Sequence, residues 1–204
     1  MTLAGFFAVG FLHLLAAISP RPAVIIAART GVTEGLRTGA FLAMGIGAGA
    51  VVWAAAALFG LGIVFAAAPS LLWALKIGGA AYLMWMAYNL WRDADKPLIT
   101  AQSGKPPRSA ASAFRLGLYT QLANPKPAVL FSAIFIGTVP PATPLWVYGA
   151  VLTVVFLNEA LWNTFVARVF SLEKSRAAYL SLKTIIDKTF GGLLALLGLK
   201  IVAT

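Results

Sequence analysis

The sequence predicts an all-α polytopic membrane protein: six transmembrane helices forming two inverted three-helix repeats, with helices 1 and 4 broken near the bilayer midplane. Three observations lead there. Sixty per cent of the 204 residues are hydrophobic and only 11% are charged, and the mean hydropathy is +0.87, well outside the range of soluble domains. The apolar runs reach about 20 residues or more, the length of a membrane helix rather than of a barrel strand. Second, Pro20-Arg21-Pro22-Ala23-Val24-Ile25 returns 105 residues later as Pro125-Lys126-Pro127-Ala128-Val129-Leu130, each copy interrupting an apolar run. Third, Lys and Arg gather in alternate loops, as the positive-inside rule requires.

Taken in order, span 1 covers about Leu3 to Ala28 and includes His13, followed by a short polar turn from Arg29 to Arg37. It lacks the basic start and small-residue cleavage site of a signal peptide and reads as a retained span. Span 2, about Thr38 to Ala67, contains Gly45 and Gly49 at GxxxG spacing. No strand precedes them, so they read as a helix-packing face rather than a dinucleotide loop. Span 3 covers about Ser70 to Trp91, ending in the interfacial aromatics Tyr82, Trp85, Tyr88 and Trp91.

The polar, proline-bearing stretch from Arg92 to Ser112 is a cytoplasmic linker. It divides a single transporter domain, 1–204, into repeat 1 (about 1–91) and repeat 2 (about 113–204). Span 4 runs from about Ala113 to Thr138 and span 5 from about Leu145 to Val169, carrying Asn158, Glu159 and Asn163. A polar segment, Leu172 to Lys183, precedes span 6, about Thr184 to Ala203, with Asp187 near its start. The loops after spans 1, 3 and 5 hold the basic residues; those after spans 2 and 4 hold none. Both termini are therefore expected outside the cell, and two halves of three spans each must run in opposite directions.

The two breaks are the candidate binding elements. Ser19 and Asn124 read as N-caps, with Pro20 and Pro125 at the first helical position, where a missing N–H costs nothing. Prolines at 20, 22, 125 and 127 remove donors from the helical ladder. Each new helix start presents unpaired N–H groups and a partial positive charge, to which Arg21 or Lys126 adds a full one. At 1.5 Å per residue both breaks fall near the midplane. Ser19, Pro20, Arg21, Pro22, Asn124, Pro125, Lys126 and Pro127 are thus candidate ligands for an anionic group. Asn163 shares a helix face with Glu159 and joins them. Glu159, His13 and Asp187 are candidate proton carriers, because ionisable groups inside a membrane mark relays. Their bland alternatives are a fixed ion pair for Glu159 and a hydrogen-bonded neutral ring for His13.

Across Ser19 to Ile25, Gly31 to Trp53 and Phe114 to Phe131 the chain resembles the lysine-exporter (LysE/RhtB) family of bacterial amino-acid exporters. The family's Pro-Gly-Pro corresponds to Pro20-Arg21-Pro22, its entry to span 2 to Arg37-Thr38-Gly39, its Leu-Lys-x-Gly motif to Leu75 to Leu83, its Asn-Pro-Lys to Asn124-Pro125-Lys126, and its C-terminal Gly-Leu-Gly to Leu197 to Leu199. Two positions depart from it. Arg21 stands where the family has glycine, and Ala50 where many members carry an acid, which leaves Glu159 as the carboxylate to replace it.

The resemblance implies a secondary exporter of amino acids or related small zwitterionic or anionic metabolites, driven by the proton gradient and located in the bacterial inner membrane. The alternative on the same scaffold is an ion channel or a metal-ion or anion transporter. No GxxxxGK[ST] loop supplies an ATPase, the chain has no cysteine, and one histidine without a metal-ligand cluster gives little basis for an enzyme. No cofactor and no metal are expected. The partners are a small-molecule substrate and membrane lipid, not nucleic acid, with self-association left open. Reporter fusions after Asp95 and after Lys174 should be cytoplasmic, and fusions near Pro69, Pro141 and the C-terminus external. A cytoplasmic C-terminus would remove the inverted relation between the halves.

Overall fold

The computed structural model describes residues 1–18, 21–60, 67–95, 106–124, 127–128, 130–131, 135, 139–140 and 143–203. All regular structure among them is helical: α1 (Leu3–Ile18), α2 (Pro22–Leu58), α3 (Pro69–Arg92), α4 (Ala110–Leu122), α5 (Leu145–Ser171), α6 (Glu173–Ser181) and α7 (Lys183–Ala203). Helical residues recur at Pro127, Ala128, Leu130, Phe131 and Phe135. By length and composition α2 and α5 suffice to cross a membrane, and α1 is a shorter apolar helix. Large apolar side chains such as Phe7, Phe11, Trp85, Trp146, Leu161 and Phe165 are exposed, a surface suited to lipid rather than water.

Four features differ from the sequence reading. The first break lies where expected, but Arg21, not Ser19, is the N-cap, with extended backbone (φ −162°, ψ 165°), and Pro22 opens α2. The cause is Pro22 itself, since a proline pushes the preceding residue out of the helical region. Ser19 and Pro20 lie outside the described residues. The polar turn after span 1 is largely helical: α2 runs from Pro22 to Leu58 and only Gly35 within it leaves helical geometry, at φ 83°, a conformation open to glycine. Span 2 closes at Leu58, followed by a turn at Gly60, also at positive φ. Finally, the segment before span 6 folds as the short helix α6.

The helices pack through small residues. A side chain at Gly45 would meet the Phe114 carbonyl of α4, and one at Gly117 would meet the Leu42 carbonyl of α2; Gly49 lies against Gln121. From Gly45 on Phe114 to Gly49 on Gln121 the numbers rise on both helices, so the second part of α2 runs parallel to α4. On the other face Gly39 lies on Ala167 and Gly47 on Phe156 of α5, so α5 runs antiparallel. The GxxxG face anticipated at Gly45 and Gly49 is thus a backbone-to-backbone crossing. Helices α3 and α7 pair antiparallel through Trp91, whose indole N–H donates to the Lys188 carbonyl at 2.8 Å and whose ring lies on Gly191.

Two apolar cores result, at opposite ends of α2 and α5. One gathers Ala23 to Ala28, just after the first break, with Leu42, Ile46, Leu83, Leu90, Val166 and Leu194. The other gathers Ala128, Phe131 and Phe135, after the second break, with Val9, Trp53, Val151 and Val155. Gly45→Leu should destabilise the protein by about 1–3 kcal/mol or prevent folding, because backbone cannot yield to the added side chain. Gly149→Ala, which meets nothing within 4 Å, should be neutral or stabilising by up to about 1 kcal/mol. Thermal unfolding in detergent measures both.

Candidate functional site

Between the two cores lies a polar cluster built on Glu159, near the middle of α5 and 1% exposed. Its Oε2 accepts from the Arg21 guanidinium and, at 3.2 Å, from Asn163 Nδ2, while its Oε1 lies 3.4 Å from His13 Nε2. Asn163 Nδ2 also donates to the Glu159 backbone carbonyl at 2.8 Å, as its position one turn later allows. Helix α1, the first break and α5 therefore meet at one carboxylate. An isolated charge here would cost at least roughly 2.5–3.5 kcal/mol. Arg21 and Glu159 neutralise each other.

The first break delivers Arg21 to this place. Because Arg21 is extended and precedes Pro22, its side chain turns back along α1, and its Nε donates to the Ala17 carbonyl at 3.2 Å, one of the carbonyls left over at the end of a helix. One bond is to Ala17 and one to Glu159, so the fork of five N–H donors retains further donors without a partner among the described residues. Arg21 can therefore hold the protein carboxylate and a second one together.

His13 is oriented by Asn158. Asn158 Nδ2 lies 3.0 Å from the Gly10 carbonyl and 3.3 Å from His13 Nδ1. The Gly10 oxygen can only accept, which fixes the amide orientation and makes Nδ1 an acceptor in turn. The ring proton then sits on Nε2, facing Glu159. The ring stacks on Phe131, with centroids 5.1 Å apart, so a residue beyond the second break also reaches the cluster.

Of the residues expected from sequence, the structure brings together Arg21, His13, Glu159 and Asn163, with Pro22 opening α2 beside Arg21. Asn124 is buried and non-helical just after α4, and helical geometry resumes at Pro127; Pro125 and Lys126 lie outside the described residues. Asp187 stands apart. It is fully buried near the start of α7, with Arg29 Nη2 3.9 Å from its Oδ2, and Arg29 is eight residues, about 12 Å, along α2 from Arg21. Asn158 escaped the sequence reading as a site residue, although its place beside Glu159 in an apolar run was a signal.

Asn163 Oδ1, Gln121 Nε2 and Trp162 Nε1 are buried without a hydrogen-bond partner among the described residues. Among the described residues no group of three or more His, Cys, Asp or Glu side chains could hold a metal ion.

Comparison with known proteins gives a consistent result. The family model described as LysE type translocator matches residues 14–204. The chain is 33% identical over 202 residues to the threonine efflux protein of Salmonella typhi, and 30% identical over 202 residues to that of Escherichia coli K12, covering 97% of both chains in each case. It is 28% identical over 144 residues to the homoserine/homoserine lactone efflux protein of Salmonella typhi, covering 71% of this chain and 69% of that one. No solved structure matches.

The pairing at Glu159 generates a double-variant cycle. Arg21→Ala should cost about 3–5 kcal/mol by leaving a buried carboxylate without its cation. Adding Glu159→Gln should recover most of that loss, a non-additivity that unfolding of the single and double variants in detergent measures.

Proposed function

The chain belongs to the LysE type translocator family, and we propose that it is a secondary active exporter of threonine and closely related amino acids, driven by the proton gradient across the bacterial inner membrane. One observation carries the amino-acid reading. Arg21 and Asn163 both donate to the same oxygen of Glu159, and among the described residues each keeps a valence to spare: further N–H groups on Arg21 and the unpartnered Oδ1 on Asn163. A donor fork and an acceptor that flank one atom match a carboxylate and an ammonium group carried by one carbon, which is the head of an amino acid. The relatives named for threonine and homoserine efflux agree with that chemistry.

In this reading the transmembrane arrangement is six spans in two inverted repeats with both termini external. The helix directions support it. The second part of α2 is parallel to α4 and antiparallel to α5, and α3 is antiparallel to α7, as the alternating loop charges require. The half-helices after the two breaks lie in the two opposite cores, in keeping with starts that leave one level in opposite directions. Pro20, Pro125 and Lys126, with Ser19 and Asn124, complete the binding region around the breaks.

Coupling to protons falls to Glu159 and His13. With Arg21 against it, Glu159 holds its charge; a substrate carboxylate that shares the Arg21 guanidinium weakens the support for that charge, and a proton can then take up the difference. His13 Nε2, already facing Oε1, is the adjacent station for that proton. Asp187, paired with Arg29, lies about two turns away along α2 and would act at a separate step.

Glu159→Gln fixes the uncharged state. In sealed vesicles, with rates normalised to folded protein, this variant should retain exchange of threonine across the membrane and lose accumulation driven by a pH gradient. Intact gradient-driven accumulation would remove Glu159 from coupling, and absence of any threonine exchange by the unsubstituted protein would remove the amino-acid reading.

A further inference from the structure

The second break contains a polar group that the amino-acid reading does not use. Gln121 sits in the last turn of α4, is 2% exposed, and its Nε2 has no hydrogen-bond partner among the described residues. Its backbone is nevertheless held firmly. In a continuous helix the Gln121 carbonyl would accept from the residue four places on, but that residue is Pro125, which has no N–H. Two other donors replace it: Asn124 N at 3.3 Å and the indole of Trp53 at 3.2 Å. Gly49 lets the side chain of Gln121 lie directly against α2. The main chain and the stem of Gln121 are thus pinned by α2, and only the terminal amide is unsatisfied.

A buried amide donor without a partner is unfavourable in the empty protein, and an apolar residue of the same size would fill the space without that loss. The 105-residue offset between the breaks makes the contrast sharper: Gln121 corresponds to Ala16, which carries no polar group at the first break. The need for a donor is therefore specific to the second break.

We propose that Gln121 is a substrate-binding residue whose side-chain N–H groups donate to an acceptor oxygen of the transported molecule beside the second break. The inference rests on the amino-acid exporter reading and adds a contact on α4, a helix that supplies no contact to the Glu159 cluster. The acceptor is either the substrate carboxylate or an oxygen of its side chain.

Gln121→Met keeps the length and volume of the side chain and deletes the donor. Purified Gln121→Met without substrate should be at least as thermostable as the unsubstituted protein, because it loses a buried unsatisfied group. Its KM for threonine in vesicles should rise about tenfold, the effect of losing one hydrogen bond to a charged or strongly polar group. Gln121→Asn, which keeps the amide but shortens it, should fall between the two. Valine, which has the shape of threonine without the hydroxyl, separates the sources: an equal loss for both amino acids assigns the carboxylate, and a loss confined to threonine assigns the side-chain oxygen. An unchanged KM in a stable Gln121→Met variant overturns the proposal. So does a fall in stability that Gln121→Asn restores together with activity, since that outcome assigns the amide to the fold. If the unsubstituted protein transports neither amino acid, the exporter reading fails first.

Discussion

A carboxylate buried in the middle of an apolar helix constrains everything around it. Glu159 can exist there as an anion only because a cation and neutral donors come to it, and each arrives from a different part of the chain: Arg21 from the first break, His13 from α1, Asn163 from the next turn of α5. The position of the break follows from this demand. An arginine in the interior of a straight helix would have its main-chain donor and acceptor in the ladder and its side chain on one face. As an extended N-cap before Pro22 it can reach back to the Ala17 carbonyl and sideways to Glu159 together. The bond that satisfies a broken helix end and the bond that neutralises a buried acid belong to one side chain.

Around that cluster the glycines set the distances. Where α2 crosses α4, backbone meets backbone at Gly45 and Gly117, and where it crosses α5, Gly39 and Gly47 let Ala167 and Phe156 approach. At Gly45, Gly117 and Gly39 the neighbour is backbone or an alanine methyl with no rotamer to rearrange, so α2, α4 and α5 keep their spacing there. Polar side chains can then be placed against one another to within a hydrogen bond, although apolar surface gives membrane helices little directional preference of its own.

Much of this was legible in the residues. The doubled Pro-cation-Pro phrase located the breaks, the GxxxG spacing located the crossing, and Glu159 with Asn163 four residues later marked the polar face of α5. Arg21 as the partner of Glu159 was foreseen only as one of two cations. Nothing in a linear pattern says that a residue 138 positions away folds onto Glu159. The exact cap was misread for a local reason: Ser-Pro at 19–20 is a good N-terminal signal, but Pro22 imposes extended backbone on Arg21 and shifts the start by two residues. The role of Arg29 to Arg37 was misread because charge suggests a loop, whereas one glycine at positive φ suffices to redirect a helix. Gln121 could have been found. It is the glutamine lying inside an apolar run, four residues before a proline that cannot serve its carbonyl.

Gly35 has a mechanical consequence. The segment from Pro22 to Glu34 is a stiff rod that ends at Arg21, about 20 Å from the joint at Gly35 at 1.5 Å per residue. Its apolar side, Ala23 to Ala28, lies in the same core as Leu83 and Leu90 of α3 and Leu194 of α7. Gly31, in the same rod, also lies against the Ala167 backbone of α5, so any rotation of the rod about Gly35 would have to slide along that contact. At that arm length a rotation of about 5° moves the guanidinium about 1.7 Å, enough to carry a hydrogen bond past its useful range. The length of the arm thus makes the Arg21–Glu159 pair the place where a small change of angle at Gly35 would be felt most.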